Sequence, residues 1–336
     1  MAATIPLVRC GSIMPLVRWM QANDRPVEES LRAVDLGYVL KADAYLPIPL
    51  GPALAFLRNA SVDEGPDFPL HVVSGTSVGE LGLIGKVALG GGSVHAALFH
   101  VAEALPRQVS HETISVRALP NGVIVRQITT LRIDDETRHA LQLYFAALIQ
   151  ALCANACSRF PMFERVAMLP HPVHGLSHLR PSFANTVEAS ADKSLELFVP
   201  SRVADSLLPN LHVNTEEAGA LTEHQPLHGD GSLGASVRLV IAAMLYDGAP
   251  TVERVAAAGG FSVRTLQRRL GEEGTSFSRL LEAMRHDLAL AGISTGMVPD
   301  GELAARLGYE QPSSFSRAVR RWTGSSPKGL RRSRNT

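Results

Sequence analysis

The chain has 336 residues, 46% of them hydrophobic and 19% charged, with 32 Lys and Arg against 32 Asp and Glu. That length allows two domains, each with its own core, and the composition excludes a disordered or fibrous chain. Three cysteines, too few and too odd in number for a disulfide framework, agree with a reducing compartment.

The opening stretch "MAATIPLVRCGSIMPLVRWM" places Arg9 and Arg18 where a signal peptide needs an unbroken apolar run. The segment "LGLIGKVALGGGSVHAALFHV" (81–101) comes nearest to a membrane span, but Lys86, His95, His100 and a cluster of glycines interrupt it. A cytoplasmic chain with no membrane association is expected.

Further along, "ISVRALPNGVIVRQITTLRI" (114–133) reads as strand-like, and an alanine-rich helical pattern covers 139–157. Cys153 and Cys157 stand one turn apart on that pattern and are expected as small buried packing residues. In "HPVHGLSH", His171, His174 and His178 are of a metal-binding type, but the prolines and glycine around them point to a turn. No acidic or thiol partner lies nearby in sequence, so no metal site is expected. The chain contains no P-loop, no G-x-S-x-G and no H-E-x-x-H, and no G-x-G-x-x-G in a strand–helix–strand setting. No cofactor and no enzymatic activity are expected.

The zero net charge hides a division. Residues 251–336 carry 14 basic against 8 acidic side chains, a net +6, and residues 1–250 carry 18 against 24, a net −6. The basic end suits an anionic partner. The glycine-rich "TEHQPLHGDGSLGAS" (222–236), without apolar periodicity, marks a linker between the two parts.

Past the linker the pattern is helical. Val237, Ile241, Met244 and Leu245 keep helical spacing up to a stop at Gly248. Thr251 is expected to cap a short helix through Ala258, Gly259-Gly260 to break it, and Ser262 to cap the next. At ~100° per residue, Arg264, Gln267 and Arg268 share one face of that next helix, with Leu266 and Leu270 opposite. Arginine presents a bidentate fork to guanine or phosphate, and glutamine pairs with adenine. For one such helix alone, a solvated charged face is the favoured reading.

The second copy decides between these readings. In "LAARLGYEQPSSFSRAVRRWTG" (303–324), Gly308-Tyr309 follows Gly260-Phe261 by 48 residues. Aligning Phe315 with Leu266 puts Ser313, Ser316 and Arg317 at the positions of Arg264, Gln267 and Arg268, with Phe315, Val319 and Trp322 on the packing face. Two helix-turn-helix units joined by the helical "FSRLLEAMRHDLALAGI" point to a bipartite reader of adjacent major grooves.

Over residues 235–332 the sequence resembles the AraC/XylS family of bacterial transcription regulators. The resemblance is carried by "VAAAGGFSVRTLQRRLGEEGTSF", by "LAARLGYEQPSSFSRAVRRWTGSSPKGLRR" and by Arg285 with Ala289 between them. It implies two recognition helices, about 262–272 and 311–322, and base or phosphate contacts from Arg264, Gln267, Arg268, Ser313, Ser316 and Arg317. The chain departs from the family pattern at Gly292-Ile293, where two leucines are usual, at Asp300-Gly301, where an apolar residue is usual, and at Pro312, where a polar contact residue is common. Glycine inside a helix costs ~0.5–1 kcal/mol relative to alanine, so a less sequence-specific second head is expected.

The front part is similar in pattern to the N-terminal domain of the arabinose-binding-type subgroup, in which a glycine-rich segment precedes a helix and a β-hairpin. The segment from Phe163 to Pro209 follows the subgroup's order of strand, proline turn, helix and strand. The expected architecture is an α+β effector-binding or dimerisation domain (1–221), a linker (222–234) and an all-α domain with two helix-turn-helix units (235–336). The implied partners are double-stranded promoter DNA, RNA polymerase, a small-molecule effector of unknown identity and a second copy of the chain in a homodimer. Two other readings stay open here. One is a nonspecific or architectural DNA-binding protein. The other is a DNA-binding module fused to an alkyl-transfer enzyme domain, which would need more cysteines than three.

Overall fold

Leu119 and Gly122 face each other across a Pro120-Asn121 turn, and the chain folds back there into a hairpin of β3 (Glu112–Leu119) and β4 (Gly122–Thr129). Proline suits the second position of such a turn because its φ is already set. In this computed structural model the described residues are 4–90, 92–158, 161–183, 187–209, 225–227, 231–248, 250–296 and 298–334, the side chains of the last stretch being described to Arg332.

Before the hairpin come β1 (Leu7–Arg9), α1 (Met14–Ala22), α2 (Val27–Ala33), β2 (Pro47–Pro49), α3 (Leu50–Glu64), α4 (Phe68–Val72), α5 (Ser77–Glu80), α6 (Leu83–Leu89) and α7 (Val94–Gln108). After it come α8 (Asp135–Ala156), β5 (Arg165–Met168), α9 (Arg180–Phe183), β6 (Val187–Ala189), β7 (Leu195–Pro200) and α10 (Ser201–Ala204). The larger sheet has the order β3-β4-β7-β5-β6, antiparallel except for the β5–β6 pair. Strand β1 pairs with β2 in a separate two-stranded sheet, and Val8 also bridges to Val109.

The period of two along β4 and β7 turns Val123, Val125, Leu195, Leu197 and Val199 to one face of the sheet. Val94, Leu98 and Val101 of α7 and Leu143, Ala146 and Leu152 of α8 share a core with them. Ser93 caps α7 by accepting from Ala96 N, and Asp134 caps α8 by accepting from Thr137 N. This is the expected α+β domain.

One detail of its helix reading changes, and the stretch expected as a turn is one. Helix α8 starts at Asp135 and ends at Ala156, so Cys157 stands past the end with extended backbone and is only half-buried, whereas Cys153 is fully buried. Burial pushes the Cys153 thiol up to about 12, which leaves it an inert packing group. The "HPVHGLSH" stretch is a turn, closed by His171 and Gly175, each donating its N–H to the other's carbonyl at 2.9 Å. His139 of α8 joins these histidines, its Nδ1 at 2.7 Å from the Leu169 carbonyl and its Nε2 at 3.2 Å from His178 Nε2.

The helical end comprises α11 (Leu233–Met244), α12 (Val252–Ala258), α13 (Val263–Glu272), α14 (Phe277–Thr295), α15 (Asp300–Arg306), α16 (Pro312–Thr323) and α17 (Pro327–Arg334). The expected linker runs over 222–234, of which 222–224 and 228–230 lie outside the described residues. Its last two residues, Leu233 and Gly234, already belong to α11, because Ser232 caps that helix by accepting from Ala235 N at 3.0 Å. Leu227 is buried and donates its N–H to the Pro106 carbonyl at 2.9 Å, so this part of the segment is packed against the front domain.

The cores are not divided where the composition changes. Ile5, Leu7, Ile48 and Leu54 of the front part share one apolar cluster with Val237, Val240 and Ile241 of α11 and with Leu266 and Leu270 of α13. The second helix-turn-helix unit keeps a core of its own around Ile293, Leu303, Phe315 and Val319.

Candidate nucleic-acid interface

Both helix-turn-helix units turn by the same hydrogen bonds. In the first, Gly260 N donates to Ala257 O at 3.0 Å and Phe261 N to Ala256 O at 2.8 Å. In the second, Gly308 N donates to Ala305 O at 3.0 Å and Tyr309 N to Ala304 O at 3.0 Å. Gly260 (φ 66°) and Gly308 (φ 70°) take the left-handed conformation that lets a helix end this way. An arginine lies over the aromatic ring that follows each glycine: Arg269 is 4.9 Å from the Phe261 centroid and Arg285 is 4.7 Å from that of Tyr309.

The recognition helices follow from these turns. Ser262 caps α13 by accepting from Thr265 N at 3.1 Å. The first helical position of α16 is Pro312, whose missing N–H would have had no partner there. Leu266 and Leu270 of α13, and Phe315 and Val319 of α16, are completely buried. The sequence alignment of the two units therefore matches their packing.

On the outer faces, Arg264, Gln267 and Arg268 of α13 and Ser313 and Arg317 of α16 are exposed, and Ser316 is half-buried. Among the described residues, no hydrogen bond or ion pair holds Arg264 or Gln267. Arg268 pairs with Glu272 one turn on, and Arg317 Nη2 donates to Ser314 Oγ at 3.1 Å. The structure adds Arg320, exposed one turn beyond Ser316. Its i+4 spacing from Ser316 was the available signal. Arg321 is drawn aside by Glu282 of α14 at 2.5 Å, to which Trp322 Nε1 also donates at 3.0 Å.

Several charged residues of the helical end serve the frame. Glu273 accepts from Leu233 N and Gly234 N, both at 2.8 Å, and so closes the start of α11 with a carboxylate. Arg285 donates to Leu307 O at 2.8 Å and Gly308 O at 3.1 Å, satisfying carbonyls at the end of α15. The departures from the family pattern have structural counterparts as well. A Cβ at Gly292 would stand 2.7 Å from Leu303 Cδ1, so glycine lets α14 and α15 approach closely. Asp300 opens α15 and pairs with Arg331 of α17 at 3.0 Å.

Comparison with known proteins fits this geometry. Residues 239–333 match the family described as Helix-turn-helix domain. The ornithine utilization regulator of Pseudomonas aeruginosa is 38% identical over 82 residues, 24% of this chain and 24% of that protein. VirS, an HTH-type transcriptional regulator of Mycobacterium tuberculosis, is 32% identical over 109 residues, 32% of each chain. The uncharacterized HTH-type transcriptional regulator Rv1395 of the same species is 41% identical over 78 residues, 23% of each chain. The matches thus span about a quarter to a third of these relatives' length. The crystal structure of transcriptional regulator CdpR from Pseudomonas aeruginosa covers 82% of this chain and 90% of its own, at 22% identity and a TM-score of 0.38.

The C-terminal region is a helix-turn-helix domain containing two helix-turn-helix units. It is of the AraC type, and its matched relatives are transcriptional regulators by name. Among the described residues, no helix is long and apolar enough to cross a membrane.

Proposed function

We propose that the chain is a sequence-specific DNA-binding transcription regulator of the AraC type, with α13 and α16 entering adjacent major grooves. The repeated turn carries this reading: the same hydrogen bonds at 260–261 and 308–309 precede two polar, arginine-bearing helix faces. Arg264, Gln267 and Arg268 contact one half-site, and Ser313, Ser316 and Arg317 the other. The front domain, 1–221, senses a small molecule or dimerises, the segment 222–234 connects it, and residues 235–336 bind promoter DNA in the cytoplasm and place the protein beside RNA polymerase.

The test is footprinting of the full chain on genomic fragments in competition with random duplex, repeated across a salt series. Protected sites should be discrete and bipartite, and affinity should fall with salt at about 0.9 in log–log slope per phosphate contact. Uniform protection would return the architectural reading, and a flat salt dependence would remove DNA binding altogether.

A further inference from the structure

A cavity of about 150 Å³ lies inside the front domain. It sits on the seam between two apolar clusters: Val8, Leu16 and Leu54 come from the cluster shared with α11 and α13, and Ile84, Val101 and Leu152 from the cluster on the sheet. Leu141, Phe145 and Leu148 of α8 also line it and are only half-buried, so the chamber reaches the surface along that helix. In other proteins an apolar space of this size admits a benzene ring.

Five polar side chains break the apolar lining: Ser12, Gln108, Glu112, Gln127 and Tyr144. Gln108 Nε2 donates to Ser12 Oγ at 2.7 Å, Tyr144 Oη donates to the Ser12 carbonyl at 2.8 Å, and Gln127 Nε2 donates to Glu112 Oε2. One N–H of each amide and the phenol O–H thus have acceptors. The acceptors are left over: Gln108 Oε1, Gln127 Oε1 and Glu112 Oε1 are buried and have no hydrogen-bond partner among the described residues. Gln108 is 3% exposed, Gln127 2% and Glu112 9%, so none of the three oxygens belongs to a surface side chain. A buried acceptor without a donor is destabilising. Three of them, on residues that line one chamber, point to a site for something that donates.

We propose that this chamber is the effector site, and that it takes a small molecule with a ring-sized or short-chain apolar body and a hydrogen-bond-donating head, an alcohol or an amine. The proposal rests on the reading of the front domain as a sensor and gives that sensor its ligand chemistry. A carboxylate or phosphate head is disfavoured, because it would meet the unpaired oxygens of Gln108, Gln127 and Glu112, and above about pH 7 the charge of Glu112 as well.

The wall of the chamber is also the contact with the first reading head. Val8 of β1 and Leu50 of α3 line the cavity. Next to them, Ile5 N donates to Ser236 Oγ of α11 at 3.0 Å, and Gly51 lies against the Ala258 carbonyl, at the end of the helix before the turn. A ligand that seats differently in two arrangements of this wall shifts the reading head by that difference in affinity.

The test is calorimetric titration of the full chain, without DNA, using benzyl alcohol, benzylamine, toluene and benzoate. Benzyl alcohol or benzylamine should bind at least tenfold more tightly than toluene and benzoate. Gln127→Leu should bring the preferred probe down to the level of toluene. Ala88→Phe, which fills the chamber, should weaken it at least tenfold, and circular dichroism should show both variants folded. If Ala88→Phe does not fold, the loss of head-group preference in Gln127→Leu decides the matter. Preference for the amine that disappears in Glu112→Gln identifies a cationic head, and preference for the alcohol that survives it identifies a neutral one. Benzoate bound as well as either, no binding of any probe, or binding unchanged in the folded variants would overturn the proposal. A bound probe that leaves the footprint midpoint of the full chain unmoved would overturn the effector role. Loss of the DNA reading appears separately, as absent footprints without any probe.

Discussion

Asp35 of the front domain and Arg254 of α12 form a two-pronged ion pair, with Nη2 2.7 Å from Oδ1 and Nε 3.0 Å from Oδ2. Arg254 also reaches Asp247, at 3.2 Å. The pair closes the rim of the shared apolar core, and both side chains keep contact with water, at 25% and 47% exposure. Its strength is therefore that of a surface pair with good geometry, about 0.5–1 kcal/mol. In a double-mutant cycle, Asp35→Ala and Arg254→Ala should show that coupling in urea unfolding of the full chain. Purely additive losses would mean that the two parts do not dock in solution as they do here.

The outward face of α13 separates binding from stability. Arg264 is exposed and unpaired among the described residues, so Arg264→Ala should leave unfolding within about 0.5 kcal/mol of the parent. Protection of the half-site under α13 should weaken by ~1–3 kcal/mol if the side chain reads a base. Arg317→Ala should do the same under α16, by a smaller amount, since its neighbours Ser313 and Ser316 are shorter than Gln267 and Arg268 on α13. A loss of stability in either variant, or equal losses over both half-sites, would contradict the division of labour.

Two glycines of the second unit should respond to alanine in opposite directions. Gly308 holds φ 70°, where a Cβ is strained, so Gly308→Ala should destabilise by about 1 kcal/mol. Gly301 lies inside α15 with nothing within 4 Å of an added Cβ, so Gly301→Ala should stabilise by about 0.5–1 kcal/mol. Chemical denaturation of the two variants side by side checks the signs.

The helical end was legible because its signals are local. Thr251, Ser262, Gly260 and Gly308 act within one turn of their own position, and the 48-residue offset fixed the second unit from the first. The buried positions Leu266, Leu270, Phe315 and Val319 followed from helical spacing alone. What could not be read is what depends on distant partners. Nothing near Glu273 announces that it caps α11 some 40 residues earlier, and nothing near Asp35 announces Arg254. The polar lining of the chamber was hidden for the same reason. Gln108, Glu112 and Gln127 look like ordinary helix and strand residues until the hairpin folds them against α8. Cys157 was misplaced by one residue because an alanine-rich pattern carries no stop signal of its own.

The buried titratable groups Glu112 and His139 are shifted in opposite directions by one cause. Burial raises the Glu112 carboxyl from 4.5 to about 7, against the pull of Thr129, Gln127 and Arg138. Burial lowers the His139 imidazole from 6.5 to about 4, where the Leu169 carbonyl opposes it and His178 and His171 add to it. Between pH 4.5 and 7 the folded chain keeps a proton on Glu112 that the unfolded chain has released, so this group's contribution falls as pH rises, by about 3 kcal/mol in all. Between pH 6.5 and 4 the unfolded chain takes up a proton that buried His139 refuses, so this contribution falls as pH drops, again by about 3 kcal/mol. The two oppose each other in the parent, and the variants separate them. Relative to the parent, Glu112→Gln should gain stability as pH rises from 4.5 to 7, and His139→Gln should gain it as pH falls from 6.5 to 4. Urea midpoints across this range measure both differences. A difference curve that stays flat for Glu112→Gln would show a carboxylate in contact with water, not one enclosed at the polar end of the chamber.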